Sequence, residues 1–250
     1  MGIDITRSAV LGDRREKPLI AAHRGASHVA AENSLVAVER AIEFGSDMVE
    51  IDVRRTRDGI LIAHHDPVVG DESISSLTYA DVTDAKGHAL ATIDAIVGLA
   101  AGRTLLDIEL KEDGYEAEVV ELLSRRMAAD DFIVTSFLER ALVAAKRLGV
   151  RTGLLCEVPL GADDIFAAVK RTGADIVAPH FDLAQEDVLQ GAADRKLPVL
   201  VWTVNESVAM QRYLVDRRIG GVITDEPDVA VAVLRDGNGP DDYHEYEPAA

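Results

Sequence analysis

Cysteine is nearly absent: Cys156 is the only one in 250 residues. No disulfide can form within the chain, which favours a reducing compartment. Aromatic residues are scarce at 4%, so Val, Ile, Leu and Ala must do most of the packing. Basic residues are outnumbered, with Lys+Arg 26 against Asp+Glu 44 and a formal net charge of −18. Binders of nucleic acid or anionic membrane carry a basic face; with no basic cluster here, neither partner is expected. No run reaches the ~20 apolar residues of a membrane span. The first twenty residues lack the basic-then-apolar pattern of a signal peptide. Stable membrane insertion is therefore not expected, and a cytoplasmic location is. Also missing is the G-x-G-x-x-G turn of a dinucleotide binder.

What is present is alternation. Eight short apolar runs recur: LIAAHRG (19–25), MVEIDV (48–53), LLDIELK (105–111), FIVTSF (132–137), RTGLLCE (151–157), DIVAPHF (175–181), VLVWTV (199–204) and GVIT (221–224). Most are apolar nearly throughout, as strands covered on both faces are. Helical patterns lie between them. The first, ENSLVAVERAIEFG, starts at an Asn33 or Ser34 cap and ends at Gly45. Eight strands with intervening helices predict an α/β fold, a (β/α)8 TIM barrel, with an open doubly wound sheet as the rival. A single domain over 1–234 is expected, its core at 17–230. The acidic, aperiodic 235–250 reads as a disordered tail.

One segment breaks the pattern. Asp58-Gly59 sits between two apolar runs, a hairpin signal. Residues 60–65 then fold back as an extra strand on the second barrel strand, and 67–92 follow as an irregular excursion.

In such a barrel the carboxyl ends of all strands meet at one face. There the sequence places His23 and Arg24, Glu50 and Asp52, Asp107, Glu109 and Lys111, and Trp202. Glu50 and Asp52 are two apart on a strand and share a side, as do Glu109 and Lys111. Carboxylates from neighbouring strands repel in a low dielectric, which one divalent cation would relieve. Three acidic oxygen ligands suit Mg2+ or Ca2+ better than zinc. The hairpin returns His65 and Asp66 towards residue 52, so His65 and His23 would flank the cation as acid and base. Arg24 and Lys111 supply charge for phosphate oxygens. His64, facing away from His65, is read as a bystander.

The set HRGA, AENS, VEIDVRRTRDGILIAHHDP, LLDIELK, VLVWTVN and GVITDEPD, spread over residues 19 to about 230, resembles the glycerophosphodiester phosphodiesterase family. The resemblance implies a TIM-type barrel that cleaves glycerophosphodiesters to glycerol 3-phosphate and an alcohol. It implies a Mg2+ or Ca2+ site at Glu50, Asp52 and Glu109. His23 and His65 would be the acid/base pair, assisted by Lys111, with Arg24, Lys111 and Trp202 on the substrate. Glu32, Asn33 and Asp66 would support them. The substrate would be a small molecule, and a homo-oligomer is compatible with it. This chain departs from the family pattern in AENS and in the short 67–92 segment, where ATIDAIV replaces the usual signature. Head-group selectivity is therefore open.

Taken singly, Glu50 with Asp52, or Glu109 with Lys111, reads as well as a solvated strand face, and Trp202 as well as core. Jointly the residues favour the phosphodiesterase. The alternatives are a phospholipase of the lysophospholipase D or sphingomyelinase D type on the same barrel, expected to show an apolar rim, and a non-catalytic organophosphate-binding protein.

Overall fold

The computed structural model describes residues 17–236. The strands are β1 (Leu19–Ala22), β2 (Met48–Arg55), β3 (Leu61–Ala63), β4 (Val68–Val69), β5 (Glu72–Ser73), β6 (Leu105–Leu110), β7 (Phe132–Ser136), β8 (Thr152–Cys156), β9 (Ile176–Pro179), β10 (Leu200–Val201) and β11 (Gly221–Thr224). The helices are α1 (Leu35–Phe44), α2 (Tyr79–Lys86), α3 (Ile93–Ala100), α4 (Glu116–Ser124), α5 (Glu139–Arg147), α6 (Ala162–Thr172), α7 (Glu186–Asp194), α8 (Ser207–Val215) and α9 (Pro227–Asp236).

Eight parallel strands lie in the order β10, β11, β1, β2, β6, β7, β8, β9. Parallel bridges from Val177 to Val199 and from His180 to Trp202 join β9 to β10. The sheet thus closes on itself as the TIM barrel expected, its strands matching the eight apolar runs. β3 pairs antiparallel with β2, with Val53 opposite Ala63. This is the extra hairpin strand, and the turn is made where Gly59 takes φ +84°.

Alternation along each strand sorts the core into two layers. Val49, Ile51, Val53, Leu106, Ile108 and Leu110 point outward and pack with α1, α3 and α4. Leu19, Ala21, Met48, Leu105, Ile133, Leu155, Ile176, Ala178, Leu200 and Ile223 fill the barrel interior. Cys156 is on the outward parity, buried among α6 and α7 residues. Burial pushes its thiol up to about 12, so it is unreactive at neutral pH.

Ser34, not Asn33, caps α1: its side chain accepts from the Ala37 N–H, and Gly45 closes the helix at φ +85°. Gly25 is constrained twice over. Its φ is +82°, and a Cβ there would stand 2.6 Å from Ala37. Only glycine lets the end of β1 turn this close to α1.

The 67–92 segment is more ordered than its sequence suggests. It holds the β4–β5 hairpin and α2, which a Thr78/Asp81 capping box starts. Ile62, Val69, Ile74, Leu77 and Val82 make a small separate core beneath it. The helix shows no sequence period because Val82 is its only buried residue. α9 was also unmarked: Val229, Val231 and Val233 alternate as a strand would. Of the expected tail, residues 235 and 236 end α9 and the rest lies outside the described residues, as do the first sixteen of the twenty residues searched for a signal peptide. Among the described residues no helix is long and apolar enough to cross a membrane.

Candidate active site

The residues that continue the inward parity past the apolar layer are polar: Glu50 and Asp52 on β2, Asp107 and Glu109 on β6, Thr135 on β7. The β2–β6 register sets Glu50 beside Asp107 and Asp52 beside Glu109. All four carboxylates are buried. They surround a cavity of about 270 Å³ at the carboxyl ends of the strands, lined by His23, Arg24, Glu50, His65, Glu109, Lys111 and Trp202 among the expected residues.

Asp52 lies beneath the cavity floor, completely buried. Asn33 brackets it, donating from Nδ2 to Oδ2 at 2.7 Å and accepting the Asp52 N–H at 3.1 Å. Lys111 Nζ is 2.8 Å from its Oδ1 and Arg24 Nε 3.1 Å from its Oδ2. Burial raises its pKa, but Lys111, Arg24 and the hydrogen bonds outweigh that and hold the carboxyl at about 2. Arg24 (φ +55°) and Asn33 (φ +57°) are non-glycine residues in the left-handed region. The Arg24 N–H donates to Glu50 Oε2 at 2.8 Å, and the Asn33 N–H donates to the Arg24 carbonyl. That network holds the turn in place.

Lys111 Nζ also lies 2.6 Å from Glu109 Oε1. One oxygen from each of Glu50, Asp52 and Glu109 falls within 4.8 Å of the others. At such separations two carboxylates repel by about 4 kcal/mol for an effective dielectric of 20. Lys111 meets only Asp52 and Glu109, and Glu50 Oε1 and Asp107 Oδ2 have no hydrogen-bond partner. Three hard oxygen donors, one of them an orphaned buried atom, fit a hard divalent cation.

The unrelieved charge appears as proton affinity. Burial pushes Asp107 and Glu109 up to about 7 and Glu50 well above the carboxylate range, the last also repelled by Asp52 and Glu109. These groups hold protons in the folded chain that the unfolded chain releases above about pH 4.5. Stability therefore falls as pH rises above about 4.5 and through the neutral range in which Asp107 and Glu109 titrate. Chelator-treated protein is expected to lose roughly 3 kcal/mol for each of Asp107 and Glu109 between about pH 4.5 and 7, read as a falling thermal midpoint. Saturating Mg2+ or Ca2+ should remove the fall. A midpoint that rises with pH in chelator would contradict the burial of these groups as acids.

Each cavity histidine is tied to a carboxylate through Nδ1. His23 meets Asp225 Oδ1 at 2.7 Å, and His65 meets Asp66 Oδ1 at 2.9 Å. With Nδ1 engaged, Nε2 is left to exchange a proton. His23 Nε2 is 4.0 Å from Glu50 Oε2. Asp225 also accepts from Ser27 at 2.9 Å and Asn205 at 2.5 Å. Burial raises its pKa, but the bond to His23 leads the interactions that hold it at about 2. The sequence reading gave Asp225 no role. It follows the last strand, and strand-end position was the signal available.

Of the supporting residues, Glu32 accepts from Arg24 Nη1 at 2.8 Å. The Arg24 guanidinium thus faces both Glu32 and Asp52. His64 is outside the cavity lining; its N–H donates to the Asp52 carbonyl at 3.2 Å. Trp202 lines the cavity, its indole N–H donated to the Ala178 carbonyl at 2.7 Å. The sequence reading also passed over Phe137, Leu155, Glu157 and Ile223, which complete the opposite wall.

The sequence matches the family model described as "Glycerophosphoryl diester phosphodiesterase family" over residues 23–104 and 104–229. A glycerophosphodiester phosphodiesterase of Caldanaerobacter subterraneus is 26% identical over 88% of this chain and 99% of its own length. The crystal structure of a glycerophosphodiester phosphodiesterase from Thermotoga maritima shares the fold with a TM-score of 0.77, at 24% identity, over 88% of this chain and all of that one. A phosphodiesterase from Oleispira antarctica, solved with its product sn-glycerol-3-phosphate, aligns with a TM-score of 0.74 at 25% identity over 88% of this chain and 97% of that one. The barrel and nearly its whole length are shared with these proteins, and the chain belongs to the glycerophosphoryl diester phosphodiesterase family.

Proposed function

We propose that this protein hydrolyses glycerophosphodiesters to glycerol 3-phosphate and an alcohol, using one divalent cation, Mg2+ or Ca2+, held by Glu50, Asp52 and Glu109. The observation that carries the reading is the convergence of this buried triad with Lys111 and two carboxylate-tethered histidines on one cavity. The Oleispira product complex supports the substrate class. When bound, the cation would polarise a phosphoryl oxygen and offset charge that develops there.

The chain's own groups do the rest. Lys111, and Arg24 once swung from Glu32, place positive charge by the phosphate oxygens. One imidazole takes the proton of the glycerol hydroxyl as its oxygen bonds to phosphorus. The other protonates the alcohol oxygen as its bond to phosphorus breaks. With the roles reversed, water opens the resulting cyclic phosphate to glycerol 3-phosphate. The chemistry needs two imidazoles on one cavity, and the site has two. The single cysteine agrees with a cytoplasmic setting.

One feature favours a second substrate class. A phospholipase is expected to show an apolar rim, and Val158, Leu160 and Phe181 are exposed on the loops after β8 and β9. Lysophosphatidylcholine therefore belongs beside glycerophosphocholine, glycerophosphoethanolamine and glycerophosphoglycerol in the substrate panel. Metal-dependent release of glycerol 3-phosphate from the water-soluble diesters is the expected result. Choline released from the lysolipid alone would establish the phospholipase instead, and binding without turnover of any of them would leave an organophosphate-binding protein.

A further inference from the structure

The two walls of the cavity differ. The β1, β2 and β6 wall carries the cation site, the lysine and the histidine His23. The facing wall, from β7, β8, β10 and β11, is built from Phe137, Leu155, Trp202 and Ile223, and one charged residue, Glu157. Glu157 is two residues past the inward-facing Leu155 and keeps its parity. It is exposed at the rim, and its carboxylate makes no hydrogen bond or ion pair with any described residue. Of the other acids at this site, Asp107 is buried and accepts from Thr135, and the rest are claimed by arginine, lysine, histidine or the candidate cation.

Next to this carboxylate the wall offers rings and no donors. Phe137 meets Trp202 edge to face, with centroids 5.5 Å apart. The Trp202 N–H is already donated to Ala178, so the indole presents only its π surface to a ligand. An aromatic face beside an unpaired carboxylate attracts a cation, above all a poorly hydrated ammonium.

Long-range charge points the same way. At a net −18 the protein repels a diester of net charge −1, such as one with a glycerol or inositol head group. A diester with an ammonium head is net neutral and escapes that repulsion.

Building on the proposed activity, we propose that Glu157, with Trp202 and Phe137, forms a subsite for a cationic alcohol, so that the preferred substrates are glycerophosphodiesters of amino alcohols. The phosphate sits on the charged wall and the ammonium on the aromatic one.

The test compares wild type and Glu157→Gln on glycerophosphocholine, glycerophosphoethanolamine and glycerophosphoglycerol at saturating metal. Glutamine keeps the shape and removes the charge. The variant is expected to raise KM for the two ammonium substrates about 5- to 10-fold and to leave glycerophosphoglycerol within about twofold. Equal effects on all three, or none on any, overturn the subsite. If wild type turns over none of the three, the proposed activity itself has failed.

Discussion

Replacing Glu50 and Asp52 together by alanine is expected to lower kcat/KM by about 10³-fold or more. Chelation should do the same to wild type, reversibly, with activity restored by Mg2+ or Ca2+. The size of the effect follows from how the site is built. Four carboxylates are buried at the end of the barrel, and among the described residues Lys111 and Arg24 are the only permanent cations that reach them. Arrangements of this kind cost stability unless something binds them, because buried like charges repel and desolvation favours their protonated forms. The expense is consistent with a site kept for function. Asp52 needs care as a mutational target: its removal also leaves Lys111, Arg24 and Asn33 without their partner. Glu50→Gln is the cleaner companion, since an amide oxygen still accepts the Arg24 N–H. It should remain folded by circular dichroism, lose most activity, and bind Mg2+ or Ca2+ far more weakly in a calorimetric titration. Full activity in the double alanine variant, or in the presence of excess chelator, would sink the cation assignment.

The barrel was legible because buried parallel strands leave a strong mark. Runs such as MVEIDV and LLDIELK are apolar with acids inserted at every second place, and the parity that puts those acids on one shared side needs no structure to read; that this side faces inward is set by the barrel. The hairpin was legible too, since Asp58-Gly59 left no room for a helix. What escaped shares a cause. α2 buries one residue on a small satellite core, so no period could reveal it. Asp225 and Glu157 are one-residue features at strand ends, and nothing in the local sequence separates them from surface acids. Their parts depend on what a distant strand delivers: His23 from 202 positions away to Asp225, and Trp202 from β10 to the wall that Glu157 shares. The Ser34 cap was half legible. Asn33 is an equally good capping residue by type, but its side chain is bound to Asp52.

His23→Ala and His65→Ala are each expected to lower kcat for an aliphatic glycerophosphodiester by about 10²- to 10⁴-fold, the usual range for a positioned acid or base. The informative measurement is the pair of variants on two leaving groups. A nitrophenol departs without being protonated, whereas choline or ethanolamine needs a proton as its bond to phosphorus breaks. Turnover of a glycerophosphoryl nitrophenyl diester should therefore recover to near wild type in the variant that lacks the acid. It should stay low in the variant that lacks the base. The geometry adds a constraint on both. Each imidazole is held through Nδ1 by a carboxylate, and the Asp225 contact is the more enclosed: the His23 side chain is 18% exposed against 41% for His65. Asp225→Asn should leave KM nearly unchanged, lower kcat about 10- to 100-fold, and move the pH profile of kcat, because Asp225 acts through His23 and not on substrate. If both histidine variants kept wild-type turnover of the choline ester, the acid/base pair would be wrong. If both lost activity equally on the two esters, neither histidine would be the acid that protonates the leaving oxygen, and that assignment would fall.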